Sequence, residues 1–253
     1  SYYLKPLSRL AVERPVVFYD QLGAGRSDHP ADTSLWRVDR FVEELQQVRE
    51  ALGLKEVHIL GHSWGTMLAI DYMLTSPKGV QSLILASPAL SVSRWLKDAD
   101  SLLTILPDSI QEVIRKHESA GTTDSPEYQA AVLNYYKRYI SRLDPWPPDL
   151  DSSFAQMNTD IYGKMWGPSE FTATGSLGTY EKADALRNID IPILFTTGRY
   201  DEATPATVEY YHGLAPNSRM VILENSAHVT MQDEPERYVQ VVREFLREVD
   251  ANR

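Results

Sequence analysis

Cysteine is absent from all 253 residues. That excludes disulfides, thiolate catalysis and cysteine-ligated zinc together, and it fits a cytoplasmic protein. No apolar run approaches the roughly 20 residues of a membrane-spanning helix, and no basic-apolar leader opens the chain, so neither membrane nor export is indicated. Positive charge is in deficit. With 25 Lys and Arg against 35 Asp and Glu, the net charge is −10, and a nucleic-acid partner, which needs a basic face, is not expected. Low-complexity tracts and internal repeats are also missing. What remains is an ordinary globular composition, 43% hydrophobic and 24% charged, long enough for one large α/β domain or two smaller ones.

Within it stands Gly61-His62-Ser63-Trp64-Gly65, between an apolar run, Val57-His58-Ile59-Leu60, and a helical pattern from Met67 onward. Glycines two positions either side of Ser63 allow a tight strand-to-helix turn that presents the hydroxyl at the carboxyl end of a sheet. The helix behind it offers free amides, and the backbone N–H of Trp64 can donate to an oxygen that turns negative during acyl transfer. Five-residue matches of this kind also arise by chance in Gly/Ser loops. The strand before and the helix after supply the context that a nucleophile requires.

Pro15-Val16-Val17-Phe18-Tyr19-Asp20 reads as a buried strand with proline only at its first position. Gln21 to Asp28 is a Gly-rich turn without the third glycine of a dinucleotide fingerprint. A helix over 34–52, a strand over 56–60, a helix over 66–74 and a strand over 81–86 follow, with near-continuous apolar strands. This order predicts an α/β fold with a mostly parallel sheet covered by helices on both faces. From Ser91 the strands stop: helices are predicted over 94–106, 108–119, 126–143 and 151–162, rich in aromatic residues that include Trp95, Tyr135, Tyr162 and Trp166. The parallel pattern returns at Ile191. The expected organisation is thus a core over 1–90, a helical cap or lid over 91–188, and the rest of the core over 189–253.

A serine hydroxyl needs a base, usually a histidine oriented by a buried carboxylate. Both partners are expected on loops after later strands, where Asp201 follows the strand over 191–197 and His228 the strand over 220–223. The chain order Ser63, Asp201, His228 suits an elbow of this kind. Asp20, Asp160 and Asp184 are the substitutes for Asp201. His62 sits in the elbow and cannot reach round to its neighbour's hydroxyl, while His29, His58, His117 and His212 fall in a turn, a strand and two helices. The chemistry expected is acyl transfer through an acyl-enzyme, without metal or organic cofactor.

Five stretches carry a resemblance: Phe18-Tyr19-Asp20-Gln21-Leu22-Gly23 with Gly25-Arg26-Ser27, the elbow itself, Trp166-Gly167-Pro168-Ser169-Glu170-Phe171, Gly198 to Pro205, and Ser226-Ala227-His228. In them the chain resembles the prolyl iminopeptidase family of α/β-hydrolases, close to the tricorn-interacting aminopeptidase branch. The resemblance implies release of an N-terminal residue, proline or another, from peptides or amino-acid amides. It also implies that Glu170 and Glu202 grip the substrate's free ammonium; by position alone they read as a helix-start residue and a solvated loop acid. Two carboxylates on one ammonium give charge-assisted hydrogen bonds and reject blocked amines. An esterase or other small-acyl hydrolase on the same triad is the alternative, and a non-catalytic hydrolase-fold protein the one from another class. Family members also carry a His-Gly-Gly-Pro-Gly loop supplying a second oxyanion donor, preceded by the first strands of the sheet, and nothing here matches it. The expectation is that those first strands are missing from this chain and that a separate N-terminal fragment of the same enzyme brings the donor.

Overall fold

Among the described residues four parallel strands carry the fold in chain order: β1 (Val57–His62), β2 (Val80–Ala86), β3 (Ile193–Gly198) and β4 (Ser218–Leu223). They belong to a computed structural model that describes residues 2–252. Side chains alternate across the sheet, as the period of two demands. Leu83, Leu85, Ile193 and Phe195 face one apolar cluster, and Ile84, Ala86 and Leu194 face another. Helices cover both faces. The first cluster is closed by α1 (Val38–Ala51), α2 (Trp64–Leu74) and α8 (Pro205–Leu214), and the second by α10 (Pro235–Ala251) with a 3₁₀ helix at Tyr2–Val12. Because both faces are buried, β2 and β3 read in sequence as continuous apolar runs.

Between β2 and β3 the chain runs through α3 (Val92–Leu103), α4 (Asp108–Ala120), α5 (Pro126–Tyr139), α6 (Pro148–Ala155) and α7 (Thr159–Met165). These helices have a core of their own, with Ile114, Tyr128, Val132, Tyr135 and Phe171 buried together. Ser125 caps α5, its hydroxyl accepting the N–H of Tyr128, and Gly121 ends α4 in the left-handed region at φ 65°, as cap chemistry leads one to expect. A short α9 (Thr230–Asp233) follows β4 and leads into α10.

Three expectations differ from this structure. Pro15–Asp20 is neither buried nor part of a strand among the described residues, with Val17 47% and Phe18 40% exposed; an apolar run favours burial, but a strand also needs a neighbour to complete its ladder. The helix expected over 126–143 stops at Tyr139, because the carbonyls of Tyr139 and Ile140 accept the N–H groups of His228 and Val229, 3.0 Å away in each case. The helix expected over 151–162 is two helices. Asn158 caps the second, accepting the N–H of Ile161 at 3.2 Å, and a residue whose side chain can satisfy that donor favours a restart over continuation.

Candidate active site

Ser63 itself carries the strain of the elbow. Its φ is 52°, in the region where a Cβ is least welcome, and it is held there from both sides. Its N–H donates to the carbonyl of Ala86 at the end of β2, and its own carbonyl accepts the N–H of Thr66 at 2.8 Å and the Thr66 hydroxyl at 2.6 Å. Gly61 is required for a different reason: a Cβ there would run into the backbone of Gly65 and Thr66. Trp64 is the first residue of α2, so its N–H has no carbonyl one turn earlier in the helix. Its indole donates to Oε1 of Gln21 at 3.1 Å and packs edge-on against Phe41.

Asp201 and His228 meet although they come from separate loops. Asp201 Oδ1 lies 2.7 Å from His228 Nδ1, and both side chains are buried. The carboxylate is fastened by the N–H of Ala203 at 2.8 Å and the Thr197 hydroxyl at 3.0 Å. Burial opposes its ionisation, but the His228 charge and hydrogen bond together with the Ala203 amide outweigh burial and hold the Asp201 carboxyl below its usual range. The loop preceding the imidazole is braced by Asp233, which accepts from the N–H of Ala227 at 2.8 Å and the Ser141 hydroxyl at 2.6 Å.

Ser63, Trp64, Trp95, Trp166, Glu170 and His228 all line one cavity of about 400 Å³. Among the described residues no hydrogen bond joins the Ser63 hydroxyl to the imidazole; such bonds often tighten only when substrate is bound. Trp95 and Trp166 stack edge to face and Trp95 meets the His228 ring edge-on, while its indole N–H donates to the carbonyl of Glu170 at 2.7 Å. Other aromatics of the helical segment between β2 and β3, Tyr128 and Tyr135 among them, are buried in its own core instead.

The two glutamates are placed unequally. Glu170 borders the cavity. Glu202 is buried beside the imidazole, with Oε1 3.9 Å from His228 Nε2 and neither carboxylate oxygen hydrogen-bonded among the described residues. Burial pushes the Glu170 carboxyl up against the opposing charge of His228. Burial, then the charges of Glu170 and Asp201, push Glu202 up further. Asp20 is occupied elsewhere: it accepts the N–H of Arg26 at 3.2 Å, with the Arg26 Nε at 3.8 Å. Among the described residues no cluster of His, Asp and Glu is arranged to hold a metal ion, and no helix is long and apolar enough to cross a membrane.

Two residues of this region carry more than their sequence suggests. His62 donates or accepts on both ring nitrogens, and Tyr3 reaches it from the 3₁₀ helix. Tyr3 lies in no motif, and the elbow that contains His62 points to Ser63 and not to a role for the histidine.

Comparison with known proteins places this geometry in context. A family model described as alpha/beta hydrolase fold matches residues 3–235. The chain is 50% identical over 249 residues to a proline iminopeptidase of Heyndrickxia coagulans, covering 98% of this chain and 86% of that relative. Among solved structures it superposes on a proline iminopeptidase of Mycobacterium smegmatis with a TM-score of 0.91 and 34% identity, covering 99% of this chain and 86% of that one. It superposes on VinJ with a TM-score of 0.94 and 37% identity, covering 98% and 86%.

Proposed function

This chain belongs to the prolyl iminopeptidase family of α/β-hydrolases, and from that premise we propose how its residues divide the work of a serine aminopeptidase that releases N-terminal proline from peptides. Ser63 is the nucleophile. His228 takes its proton and later delivers it to the leaving amine, and Asp201 fixes the imidazole tautomer by accepting from Nδ1. The oxyanion forms against the Trp64 amide at the start of α2, where the helix dipole adds to the hydrogen bond. Water then releases the acyl group.

Glu170 and Glu202 receive the substrate's ammonium. A buried cation needs buried anions, and carboxylates strained upward by burial regain favourable charge when an ammonium arrives. The helices between β2 and β3 form the lid that keeps this exchange away from water, and a cytoplasmic location accords with a chain free of cysteine.

The observation that carries the reading is the 2.7 Å Asp201–His228 pair opening onto the cavity that Ser63 and Glu170 share. Comparing prolyl 4-nitroanilide with its N-acetyl form tests it. Activity confined to the free amine is expected; equal rates would point to an esterase-like hydrolase indifferent to the amine.

A further inference from the structure

The backbone of His228 is gripped as firmly as its side chain. Its N–H donates to the carbonyl of Tyr139 at 3.0 Å. Its carbonyl lies 2.8 Å from the Ser87 hydroxyl and 3.0 Å from Nε2 of His62. The other nitrogen of His62, Nδ1, is 3.1 Å from the hydroxyl of Tyr3. A peptide carbonyl can only accept, so the proton of His62 must sit on Nε2; Nδ1 is then an acceptor, and Tyr3 must be its donor. Tyr3 is tied in turn to two other parts of the site. Its N–H donates to the Ser153 hydroxyl on α6 at 3.0 Å, and its carbonyl accepts from the Gln232 side chain at 2.6 Å.

We propose that Tyr3 and His62 form a positioning relay for the catalytic base: the tyrosine hydroxyl fixes the tautomer of His62, and His62 fixes the carbonyl of His228, setting where the imidazole stands relative to Ser63. The relay rests on the assignment of His228 as base. It has a second requirement, because the rings of His62 and His228 are 4.7 Å apart. When His228 gains a proton in the transition state, a charged His62 would oppose it. Burial first, and the neighbouring His228 charge second, push His62 down to about 3, so that it stays neutral at working pH. The acidic groups facing His62 and His228 are Asp201, Glu202 and Glu170, and Asp201, held ionised against Nδ1, compensates the single imidazolium that catalysis creates. Burial pushes the Tyr3 hydroxyl up, so it remains a donor throughout that range.

The test compares Tyr3→Phe, His62→Gln, His62→Leu and His228→Ala on prolyl 4-nitroanilide, with thermal melting of each. Tyr3→Phe leaves a buried acceptor unpaired and frees the tautomer, and about a tenfold loss in kcat with KM within twofold is expected. His62→Leu should lose about a hundredfold in kcat, and His62→Gln, whose amide N–H can still reach the carbonyl, should recover much of it. Loss in KM instead of kcat, or no recovery in His62→Gln relative to His62→Leu in folded protein, would overturn the relay. Full activity in His228→Ala would overturn the underlying assignment instead, which keeps the two failures apart.

Discussion

His228 Nε2 stands 3.9 Å from Oε1 of Glu202, while its Nδ1 stands 2.7 Å from Oδ1 of Asp201, so neighbouring acids in the sequence flank the two ends of one imidazole. Asp201 and Glu202 differ in what they meet. The first is held by an amide and a hydroxyl and stays ionised; the second is buried with the Tyr135 hydroxyl as its neighbour and is pushed toward its neutral form by burial and the charges of Glu170 and Asp201. That difference is what the proposed division of labour requires, Asp201 on the tautomer of the imidazole and Glu202 on the substrate.

Asp201→Asn preserves shape but presents an amide to Nδ1. It should lower kcat by about 10⁴ through the wrong tautomer, with the fold intact by circular dichroism. A loss below tenfold would hand the orienting role to another acid.

Glu170→Gln removes one anion from the proposed ammonium site and should raise KM for prolyl 4-nitroanilide about 10–100-fold, in line with a lost charge-assisted bond of about 1.5–3 kcal/mol. In the parent enzyme the same logic has a pH signature. Both glutamates are shifted upward, so they protonate and lose their hold on the ammonium at a pH above the usual carboxylate range. KM should therefore climb on acidification before an ordinary carboxylate would titrate, as initial rates across a pH series will show.

Stability should run the other way. For an acid whose folded pKa is raised, the neutral form suits the fold, so its contribution is intact below the unfolded value of about 4.3 and is lost as pH rises through the folded value. Glu202→Gln removes that loss. The variant should melt above the parent at pH 8, by roughly 2–4 °C per kcal/mol relieved, with the gap closing toward pH 4. A variant that melts lower at every pH would show that the carboxylate is satisfied in the folded protein.

The elbow glycines should not be equivalent. Gly61→Ala places a methyl against the backbone of Gly65 and Thr66, which cannot swing aside, and about 1–3 kcal/mol of stability should go with it. At Gly65 a Cβ meets nothing within 4 Å, and since the residue is in the first turn of α2, Gly65→Ala should fold at least as well as the parent. Chemical denaturation of the two variants decides it.

The candidate set Ser63, Asp201 and His228 is legible in the sequence because each sits where a motif or a strand end fixes it, and β2 and β3 are legible because burial on both faces leaves a near-continuous apolar run. Glu170 and Glu202 were legible only through family resemblance, since a short acidic side chain in a loop looks the same whether it is solvated or buried. The rest depended on tertiary partners. Whether Val16 to Tyr19 joins a ladder is decided by what lies beside it, and α5 ends at Tyr139 because the His228 loop claims the carbonyls there. His62, next to Ser63 in the chain, makes its contact with the backbone 166 residues away, and nothing local encodes that. The glycines of the elbow signalled a strained turn, yet the positive φ belongs to the serine between them.

Because β2 pairs directly with β3, the strand beside the nucleophile's neighbour is synthesised only after the whole run of α3 to α7. Ser63 and His228 therefore come to the same cavity only after the segments on either side of that helical run have met, which makes the site a product of long-range assembly and not of any local stretch.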